Sequence, residues 1–346
     1  MVRKGQRTGL TPSRVMASVT VGLEEFIERQ GGHSGEVLAR AGLQPGLYRQ
    51  PNRPIALRNY CRSMHEAARS TGNEHFGLSF GEQFAPEGLG LYGYGAITAP
   101  DLRTAIGNME RFFQVFQDNS LLKFSRKDGL CALEYQLLDG DIPDRRQDAE
   151  LTIGMINNVL KRALGKGCTP EAVHFQHPAL VQHGPHRDAF RCEVRFNQPS
   201  NCILLRESCL DWPMLNADAM LHNVALGTLQ DMLGQAVQPL SMTQRTRNAV
   251  MERLPQGEVG LDEVARALAL SRRSLQRQLA DEGTSFAVLV EEVRQTLAEH
   301  YLRHERLSVS DVAWRLGYSE VSAFSRAFVR WKDLSPSAWV QQAAHP

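Results

Sequence analysis

The segment from Ser271 to Leu279 carries the side chains best suited to chemistry in this sequence. If the segment is helical, Leu275 and Leu279 lie on one face and turn toward a core. The opposite face then exposes four polar side chains: Arg272, Arg273, Gln276 and Arg277. Because arginine can pair bidentately with guanine and glutamine with adenine, this face is suited to read base edges in a DNA major groove.

A second segment of the same kind runs from Ser319 to Phe328. Phe324 and Phe328 take the positions of the two leucines and are the expected buried residues. The side chains left for DNA are Glu320, Val321, Ser322, Ser325 and Arg326. This set is poorer in bidentate readers, so we expect apolar, hydroxyl and phosphate contacts to outweigh hydrogen bonds to bases.

The two segments belong to an internal repeat. Val264-Ala265-x-x-Leu268-x-x-Ser271 recurs 48 positions later as Val312-Ala313-x-x-Leu316-x-x-Ser319. After one inserted residue, Leu275-x-Arg277-x-Leu279 recurs as Phe324-x-Arg326-x-Phe328. Each copy is predicted to form two short helices joined by a tight turn.

The turn within each copy places requirements on two positions. The first helix needs a small residue where the second helix crosses it, and Ala265 and Ala313 meet that need. The residue four positions later favours positive φ, which suits Gly317 in the second copy. In the first copy Ala269 stands there, at a cost of about 1 kcal/mol if its conformation is left-handed.

Helix ends and a connecting helix complete the repeat. Ser271 and Ser319 are predicted N-caps of the second helices, and Ser308-x-x-Asp311 resembles a capping box. Between the copies, apolar residues at helical spacing predict a continuous helix that holds the two units apart. Two recognition helices about one DNA turn apart, ~34 Å, would enter successive major grooves and read an asymmetric site.

Length and charge bound the class of protein. The 346 residues suggest two or three domains, and the net charge of 39 − 38 = +1 means that DNA contact must come from local basic side chains. No stretch approaches about 18 consecutive apolar residues, so we expect no membrane contact and a cytoplasmic location. The six cysteines are dispersed and are expected to be reduced.

The region before the repeat mixes helices with short strands. Helices are predicted from Asp101 to about Gln117 and from Asp148 to Leu164. Lys127-Asp-Gly129 indicates a hairpin, and three later segments look like strands: Val173–Gln176, Glu193–Asn197 and Cys202–Arg206. The predicted fold class is an α+β domain, helices with a small mostly antiparallel sheet, followed by an all-α double helix-turn-helix domain.

The sequence from Ala313 to Trp339 resembles the signature of the AraC/XylS family of bacterial transcriptional regulators. The resemblance spans about Val259 to Gln341 and implies a double helix-turn-helix domain that recruits or positions RNA polymerase at promoters. Three positions depart from the usual pattern: Ala269 and Asp333 replace common glycines, and Val340 stands where arginine is frequent.

More degenerate motifs upstream resemble the arabinose-binding-type effector domain of one AraC subfamily. They are Leu38-Ala-Arg-Ala-Gly-Leu43, His75-Phe-Gly-Leu78, Gly88-Leu-Gly-Leu-Tyr-Gly-Tyr94, Arg146-Gln-Asp-Ala-Glu150 and Val173-His-Phe-Gln-His-Pro178. This resemblance implies a small-molecule effector, which need not be arabinose, and a homodimer. The expected function is therefore an effector-controlled, sequence-specific regulator of double-stranded promoter DNA, most simply an activator.

These observations divide the chain into regions with different expected roles. We expect a basic tail over residues 1–20, an effector-binding and dimerisation domain over 21–237, and a DNA-binding domain over 238–346. Within the last, helix-turn-helix units occupy 261–282 and 309–331, joined by a linker helix over 286–304. Candidate effector contacts are Tyr92, Phe112, Phe113, Phe116 and Arg146.

Two other motifs are given structural interpretations. Gly88-x-Gly90-x-x-Gly93 matches a dinucleotide fingerprint, but no strand leads into it, so a tight structural loop is predicted. A histidine group with nearby cysteines shows no ordered ligand spacing: His174, His177, His183 and His186, with Cys168 and Cys192. No metal site and no cofactor are therefore predicted, and whether this group binds anything stays open.

The sequence contains no recognisable nucleophile and base arrangement, so an enzyme is not predicted. One enzymatic alternative is an AraC-type DNA-binding unit fused to DNA-repair chemistry, which would need a cysteine activated by nearby bases. A constitutive architectural protein is a further alternative, but about 200 residues of separate core are unnecessary for DNA binding alone.

Overall fold

The computed structural model describes residues 13–139, 142, 144–164, 169–180, 184–236, 241–254, 259–303 and 307–344. The chain divides into two compact units, Met1–Leu137 with Arg145–Val237 and Leu138–Asp144 with Gln238–Pro346. Cys168 and His183 lie outside the described residues. Within the described ranges, no helix combines the length and apolar character needed to cross a bilayer.

Helices make up most of the first unit. They are α1 (Leu23–Arg29), α2 (Ser34–Ala41), α3 (Leu57–Thr71), α4 (Phe76–Gln83), α5 (Leu91–Ile97), α6 (Leu102–Phe116), α7 (Arg146–Leu164), α8 (Gly184–Phe190) and α9 (Ala219–Ala236). The two long helices predicted from the sequence are α6 and α7. Asp101 caps α6 because its carboxylate accepts the backbone N–H of Thr104 at 2.8 Å.

Two small sheets complete the first unit. Strands β1 (Arg14–Met16) and β2 (Pro54–Ala56) form an antiparallel pair. A five-stranded sheet contains β3 (Ser120–Lys127), β4 (Leu130–Leu137), β5 (Ala172–His174), β6 (Glu193–Arg195) and β7 (Asn201–Arg206), in the order β3-β4-β7-β5-β6. Its pairs are antiparallel except for β5 with β6. The predicted fold class, with a small mostly antiparallel sheet, is confirmed.

The expected hairpin turn is present between β3 and β4. Asp128 and Gly129 both have positive φ, 53° and 76°, as a two-residue type I′ turn requires. The strands pair in register from Ser120 with Leu137 to Lys127 with Leu130. The Asp-Gly pair therefore sets both the turn and the register of the sheet edge.

The basic tail predicted over residues 1–20 is too long. Strand β1 begins at Arg14, and Val15, which is 1% exposed, pairs with Ile55 of β2. The Nε atom of Arg14 also donates to Asp118 at 2.9 Å. Residues 14–20 thus belong to the folded unit, because alternating apolar positions outweigh the basic character of the segment; residues 1–12 lie outside the described residues.

The glycine-rich segment is structural, as predicted, but it is not a loop. A 3₁₀ turn at Pro86–Leu89 leads through Gly90, at φ 63°, directly into α5. A Cβ atom on Gly93 would lie 1.8 Å from the carbonyl oxygen of Pro86. The glycine therefore lets α5 pack against the preceding turn, which sequence reasoning missed because glycine is usually a sign of irregular structure.

Helices α4 and α7 also pack with their backbones close together. A Cβ atom at Gly77 would lie 2.1 Å from the carbonyl oxygen of Gln147, and one at Gly81 would lie 2.8 Å from that of Leu151. The Gln147 side chain accepts the backbone N–H of Gly77 at 2.5 Å. This close approach brings the start of α4 against the first turns of α7.

The second unit is helical throughout its described residues from 241 onward. It contains α10 (Met242–Arg253), α11 (Leu261–Ala267), α12 (Arg272–Asp281), α13 (Phe286–Arg303), α14 (Val309–Arg315), α15 (Val321–Lys332) and α16 (Pro336–Ala344). Helix α13 contacts α10, α14 and α16. One apolar core contains residues from both repeat copies, among them Val264, Leu275, Val312 and Phe324.

Candidate nucleic-acid interface and effector cavity

Helix α12 presents the polar side chains of the first repeat copy. Leu275 and Leu279 are fully buried, and Ser271 caps the helix by accepting the N–H of Ser274 at 3.1 Å. With the leucines turned inward, the four polar side chains are exposed: Arg272, Arg273, Gln276 and Arg277. The geometry therefore has the orientation expected from the sequence, and the contact of these residues with DNA stays a prediction.

The arginines on the exposed faces of α12 and α15 are largely available for new contacts. Arg272 lies 3.6 Å from the Asp262 carboxylate of α11, and both side chains are exposed. Among the described residues, Arg273, Arg277 and Arg326 form no ion pair. Three guanidinium groups can therefore meet phosphates or guanine without breaking an existing salt bridge.

Both repeat turns have the same backbone geometry. Ala269 and Gly317 are left-handed, with φ of 56° and 70°. In each turn the residue after the left-handed one donates across the helix end, Leu270 to the Ala265 carbonyl at 2.9 Å and Tyr318 to the Ala313 carbonyl at 3.0 Å. These are Schellman closures, so the predicted positive φ at Ala269 is confirmed and carries the strain of a side chain.

Helix α15 starts later than the sequence suggested. Its N-cap is Glu320 rather than Ser319, and the helix begins at Val321 without a side-chain cap bond. The Ser319 cap prediction was therefore wrong, because the inserted residue shifts the start by one position relative to the first copy. Phe324 and Phe328 are fully buried, as expected.

The candidate DNA contacts on α15 divide into two groups. Glu320, Ser322 and Arg326 are exposed, and the Ser322 hydroxyl donates to the Glu320 carboxylate at 2.9 Å. Val321 packs against the apolar core, and Ser325 is half-buried. The exposed face of α15 is consequently smaller and less basic than that of α12.

The linker helix α13 supports the second repeat copy through polar contacts that the sequence reading missed. Arg294 donates from Nε to the Leu316 carbonyl at 2.9 Å, and its guanidinium carbon lies 4.7 Å from the ring centroid of Tyr318. Glu291 accepts hydrogen bonds from Arg330 and Trp331, which lower the pKa of its carboxyl. These side chains hold the turn between α14 and α15 and the C-terminal end of α15 in place.

A second missed contact joins α10 to the recognition helix of the first copy. Glu282, the C-cap residue of α12, accepts the backbone N–H groups of Met242 and Thr243, each at 2.8 Å. Burial raises the pKa of the Glu282 carboxyl, but these hydrogen bonds outweigh it and hold the pKa below its ordinary value. The carboxylate thus caps α10 as an anion at a helix N-terminus.

The first unit contains a cavity between α3, α5, α6 and α7. It encloses about 30 Å³, room for about two water molecules. Its lining includes Tyr60, Tyr92, Phe113, Phe116, Gln117 and Asp148. The cavity is mainly apolar with a polar end, which is the composition expected of a small-molecule site.

The polar end of the cavity is a short hydrogen-bond chain. Gln117 donates to the Tyr135 hydroxyl at 2.8 Å, which in turn donates to Asp148 at 2.5 Å. Burial raises the pKa of the Asp148 carboxyl from 3.8 to about 6, although the bond from Tyr135 lowers it. The buried hydroxyl of Tyr60 has no hydrogen-bond partner among the described residues. Asp148 and Tyr60 are therefore polar groups that a ligand could satisfy.

Only three of the five candidate effector contacts named from the sequence line this cavity. Tyr92, Phe113 and Phe116 line it, whereas Phe112 and Arg146 do not. Phe112 is one residue away from Phe113, so helical rotation turns its ring to another side of α6. Arg146 instead donates to the Glu74 carbonyl at 2.7 Å. These two residues therefore lie outside the cavity lining, and contact of any of the five with an effector stays a prediction.

The described cysteines lack the environment of an activated nucleophile. Cys61, Cys131, Cys202 and Cys209 are buried. Burial raises the pKa of Cys192 to about 11 and that of Cys202 to about 12. Since the thiolate is the reactive form, these two thiols are protonated and unreactive at neutral pH.

The fold brings two of the histidines considered from the sequence together and places a third one elsewhere. His177 and His186 come together beside Glu150 of α7, with Nε2 atoms at 3.5 Å and 3.0 Å from its Oε1. His174 lies in β5 beside the charges of Arg195 and Glu193. His75 joins the first pair, since its ring lies 5.1 Å from that of His186. Sequence spacing could not reveal Glu150 and His75, which come from distant helices.

Comparison with known families matches both units. Residues 31–214 match the family described as the arabinose-binding domain of AraC transcription regulators, N-terminal. Residues 264–342 match a helix-turn-helix domain. The first match covers more than half of the chain.

Individual proteins are similar over nearly the whole chain. The HTH-type transcriptional regulator VirS of Mycobacterium tuberculosis is 26% identical over 329 residues, 94% of this chain and 95% of that protein. The ornithine utilization regulator of Pseudomonas aeruginosa is 23% identical over 335 residues, 96% of this chain and 98% of that protein.

Shorter or more distant similarities were also found. The HTH-type transcriptional activator RhaS of Escherichia coli O139:H28 is 40% identical over 80 residues, 23% of this chain and 29% of that protein. The crystal structure of the transcriptional regulator CdpR from Pseudomonas aeruginosa has a TM-score of 0.43 and 22% identity, covering 91% of this chain and 98% of that one.

Proposed function

The chain belongs to the AraC family of transcriptional regulators, and from this premise we propose that it activates transcription when a small molecule binds its first unit. Membership places the chain among regulators rather than enzymes. The activating direction is supported by the likeness of the second unit to RhaS, a protein named as an activator. Contact with RNA polymerase and a cytoplasmic location are parts of the same proposal.

The exposed face of α12 carries the proposal for DNA recognition. Its two buried leucines and its Ser271 cap fix the helix, so Arg273, Gln276 and Arg277 project from a rigid element. Rigid presentation lowers the entropy lost when side chains bind base edges. We assign Arg272, Arg273, Gln276 and Arg277 to one box of the DNA site.

Helix α15 is assigned to the second box. Its exposed set is Glu320, Ser322 and Arg326, and the half-buried Val321 and Ser325 lie at its edge. Such a set offers one cation and one hydroxyl, so it contributes phosphate and shape contacts more than bidentate base pairs. The two boxes therefore differ in how strictly they specify sequence, and a single chain reads an asymmetric site.

The effector is assigned to the cavity of the first unit. Tyr92, Phe113 and Phe116 supply apolar contact, while Asp148 and the Tyr60 hydroxyl, which bonds to none of the described residues, supply polar contact. Because the cavity encloses about 30 Å³, a metabolite enters only as its lining moves outward. Binding then favours a different arrangement of α3, α6 and α7, which is the differential interaction that an effector needs to shift an equilibrium.

A homodimer formed through the first unit is part of the proposal. Large apolar side chains are exposed near the start of α9: Trp212, Leu215, Met220 and Val224. Met220 and Val224 are one helical turn apart, so they share a face. Grouped apolar side chains on a surface favour association with another protein.

Selection of binding sites from randomised duplex DNA tests the proposal. The full-length protein is used at several stated salt concentrations, because phosphate contacts weaken steeply with salt. We expect an asymmetric site with two boxes about one helical turn apart, ~34 Å. Absence of any enriched sequence at low and moderate salt, with and without a library of metabolites, would contradict it.

A further inference from the structure

Three histidines from different parts of the first unit meet around the Glu150 carboxylate. His75 lies at the start of α4, Glu150 on α7, His177 after β5, and His186 on α8. One ligand atom each of His75, Glu150 and His186 lie within 4.8 Å of one another. The Nε2 atom of His177 lies 3.5 Å from Glu150 Oε1. Two of the four are fully buried: Glu150 and His186.

The cluster contains buried polar atoms that no group in the described chain satisfies. These atoms are Glu150 Oε2, His177 Nε2 and His186 Nδ1. Buried polar atoms are normally hydrogen-bonded, so three such atoms in one cluster point to a missing binding group. The cluster is distinct from the cavity assigned to the effector, whose lining includes none of the four side chains.

The hydrogen bonds of His177 define the kind of group that is missing. Its Nδ1 atom lies 3.0 Å from the carbonyl oxygen of Pro178, which only accepts, so Nδ1 carries the proton. With the proton on Nδ1, the Nε2 atom of the neutral ring presents a lone pair. That lone pair faces the Glu150 carboxylate, which is also an acceptor. A cation between the two resolves the conflict.

The donor set selects a class of cation. Imidazole nitrogens with one carboxylate oxygen suit Zn²⁺ and other divalent transition metals better than Mg²⁺ or Ca²⁺, which prefer oxygen ligands. Metal-binding histidines commonly donate their second ring N–H to a carbonyl, as His177 does to Pro178. The Nη1 atom of Arg146 lies 3.7 Å from Glu150 Oε1, but it also donates to the Glu74 carbonyl at 2.7 Å.

We propose that His75, Glu150, His177 and His186 form a binding site for one divalent transition metal ion of the Zn²⁺ class. The close packing of α4 on α7 at Gly77 places His75 and Glu150 on the same side. A metal held there joins α4, α7, α8 and the segment after β5, and so stabilises the first unit. This site does not depend on the proposed function, because its binding is measured without DNA or effector.

Metal binding by the full-length chain tests the proposal directly. After treatment with EDTA and its removal, the protein is dialysed against ZnCl₂ and its metal content is measured by mass spectrometry. We expect one Zn²⁺ per chain and a higher melting temperature. Substitution with CoCl₂ is expected to give the visible absorption of four-coordinate Co²⁺. No retained Zn²⁺ above that of a buffer-matched unrelated protein would overturn the proposal.

Variants locate the ion. His186→Asn and Glu150→Gln are expected to weaken Zn²⁺ binding at least ~10-fold, whereas His33→Asn, at an exposed histidine of the same unit, leaves binding unchanged. His75→Asn is the mildest change because His75 is half-buried, so it serves if the buried variants do not fold. Equal Zn²⁺ affinity in His75→Asn and His33→Asn would overturn the assignment.

X-ray absorption at the zinc edge of the parent protein gives an answer that depends on no variant. The proposed site predicts two or three imidazole ligands and at least one oxygen at distances of about 2.0–2.2 Å. A spectrum dominated by sulfur, or one with oxygen ligands alone, would place the ion elsewhere and overturn the proposal.

Discussion

Glu291 of the linker helix α13 accepts the indole N–H of Trp331 on α15 at 2.7 Å. The same carboxylate oxygen accepts from Arg330 Nη2 at 2.5 Å. With Arg294 bonded to the Leu316 carbonyl, α13 contacts both the turn and the far end of the second helix-turn-helix unit. The orientation of α15 therefore depends on charged residues that lie outside both repeat copies.

The Glu291→Gln variant is expected to loosen α15. Loss of the charge weakens the bonds to Arg330 and Trp331 and lowers the free energy of unfolding by about 1 kcal/mol, since the carboxylate is partly exposed. Urea denaturation and affinity for a DNA site with an altered second box measure the effect. Glu263→Gln is the control, because its partner Arg266 lies on the same short helix; equal losses in both variants would argue against this role.

Replacing Gln276 or Arg273 by alanine is expected to relax base preference at one position of the first box. Loss of one bidentate contact costs about 1–3 kcal/mol against the preferred base and less against the others. Repeating the selection with each variant and measuring affinities at fixed salt would show this. Arg40→Ala, at an exposed arginine of α2, should leave the selected sequence unchanged. A variant that selects the parent site with undiminished preference would place α12 differently.

Ala269→Gly is expected to stabilise the second unit. The left-handed φ of 56° strains an alanine side chain, and glycine removes that strain at some cost in unfolded-chain entropy, for a net gain of about 0.5–1 kcal/mol. Urea denaturation compares it with Ala265→Gly, which should be destabilising because Ala265 is a buried helical residue. If both glycines destabilise equally, the strain at Ala269 is negligible.

Asp148 is expected to make the stability of the first unit depend on pH. Its pKa is raised in the folded state from 3.8 to about 6. Its contribution is therefore fully present below pH 3.8 and is lost as pH rises through about 6. The difference of about 2 units corresponds to about 3 kcal/mol.

Asp148→Asn isolates this contribution because the amide oxygen still accepts from Tyr135 but does not ionise. Between pH 4 and pH 7 the variant should gain stability relative to the parent by about 3 kcal/mol. Urea denaturation at several pH values measures the difference. Asp188→Asn, at an exposed acid of α8, should follow the parent, and a constant difference for Asp148→Asn would contradict the shifted pKa.

Tyr60→Phe distinguishes a ligand site from a packing defect. Removing a buried hydroxyl that bonds to no residue in the described part of the chain should stabilise the effector-free protein by about 1 kcal/mol or leave it unchanged. It should weaken the binding of any effector that bonds to that hydroxyl. Thermal shift assays of parent and variant with the same metabolites measure both effects. An identified effector that stabilises both proteins equally would lie outside the polar end of the cavity.

The sequence predicted the features that depend only on residues close together in the chain. The Asp-Gly turn, the Ser271 cap and the buried leucine pair depend on residues a few positions apart, and the structure has them where they were expected. The inserted residue moved the α15 cap from Ser319 to Glu320, a shift that repeat alignment alone does not resolve.

The missed features depend on contacts between distant segments. Gly93 allows α5 to form because Pro86 approaches its backbone, and periodicity contains no such information. His75 and Glu150 meet only because α4 and α7 pack closely at Gly77. Phe112 was grouped with Phe113 and Phe116 as a candidate effector contact, but one step along a helix is about 100° of rotation and changes the surface that a ring contacts.

Glu282 joins the end of α12 to the first turn of α10. The C-terminal end of α12 is therefore coupled to the first turn of α10, an element that precedes it in the chain. A displacement of α10 that breaks the two N–H bonds leaves α10 with its Ser241 capping box alone and loosens the C-terminal end of α12. A change in the first turn of α10 can thus reach the helix that carries the exposed arginines of the first copy without any rearrangement of the apolar core.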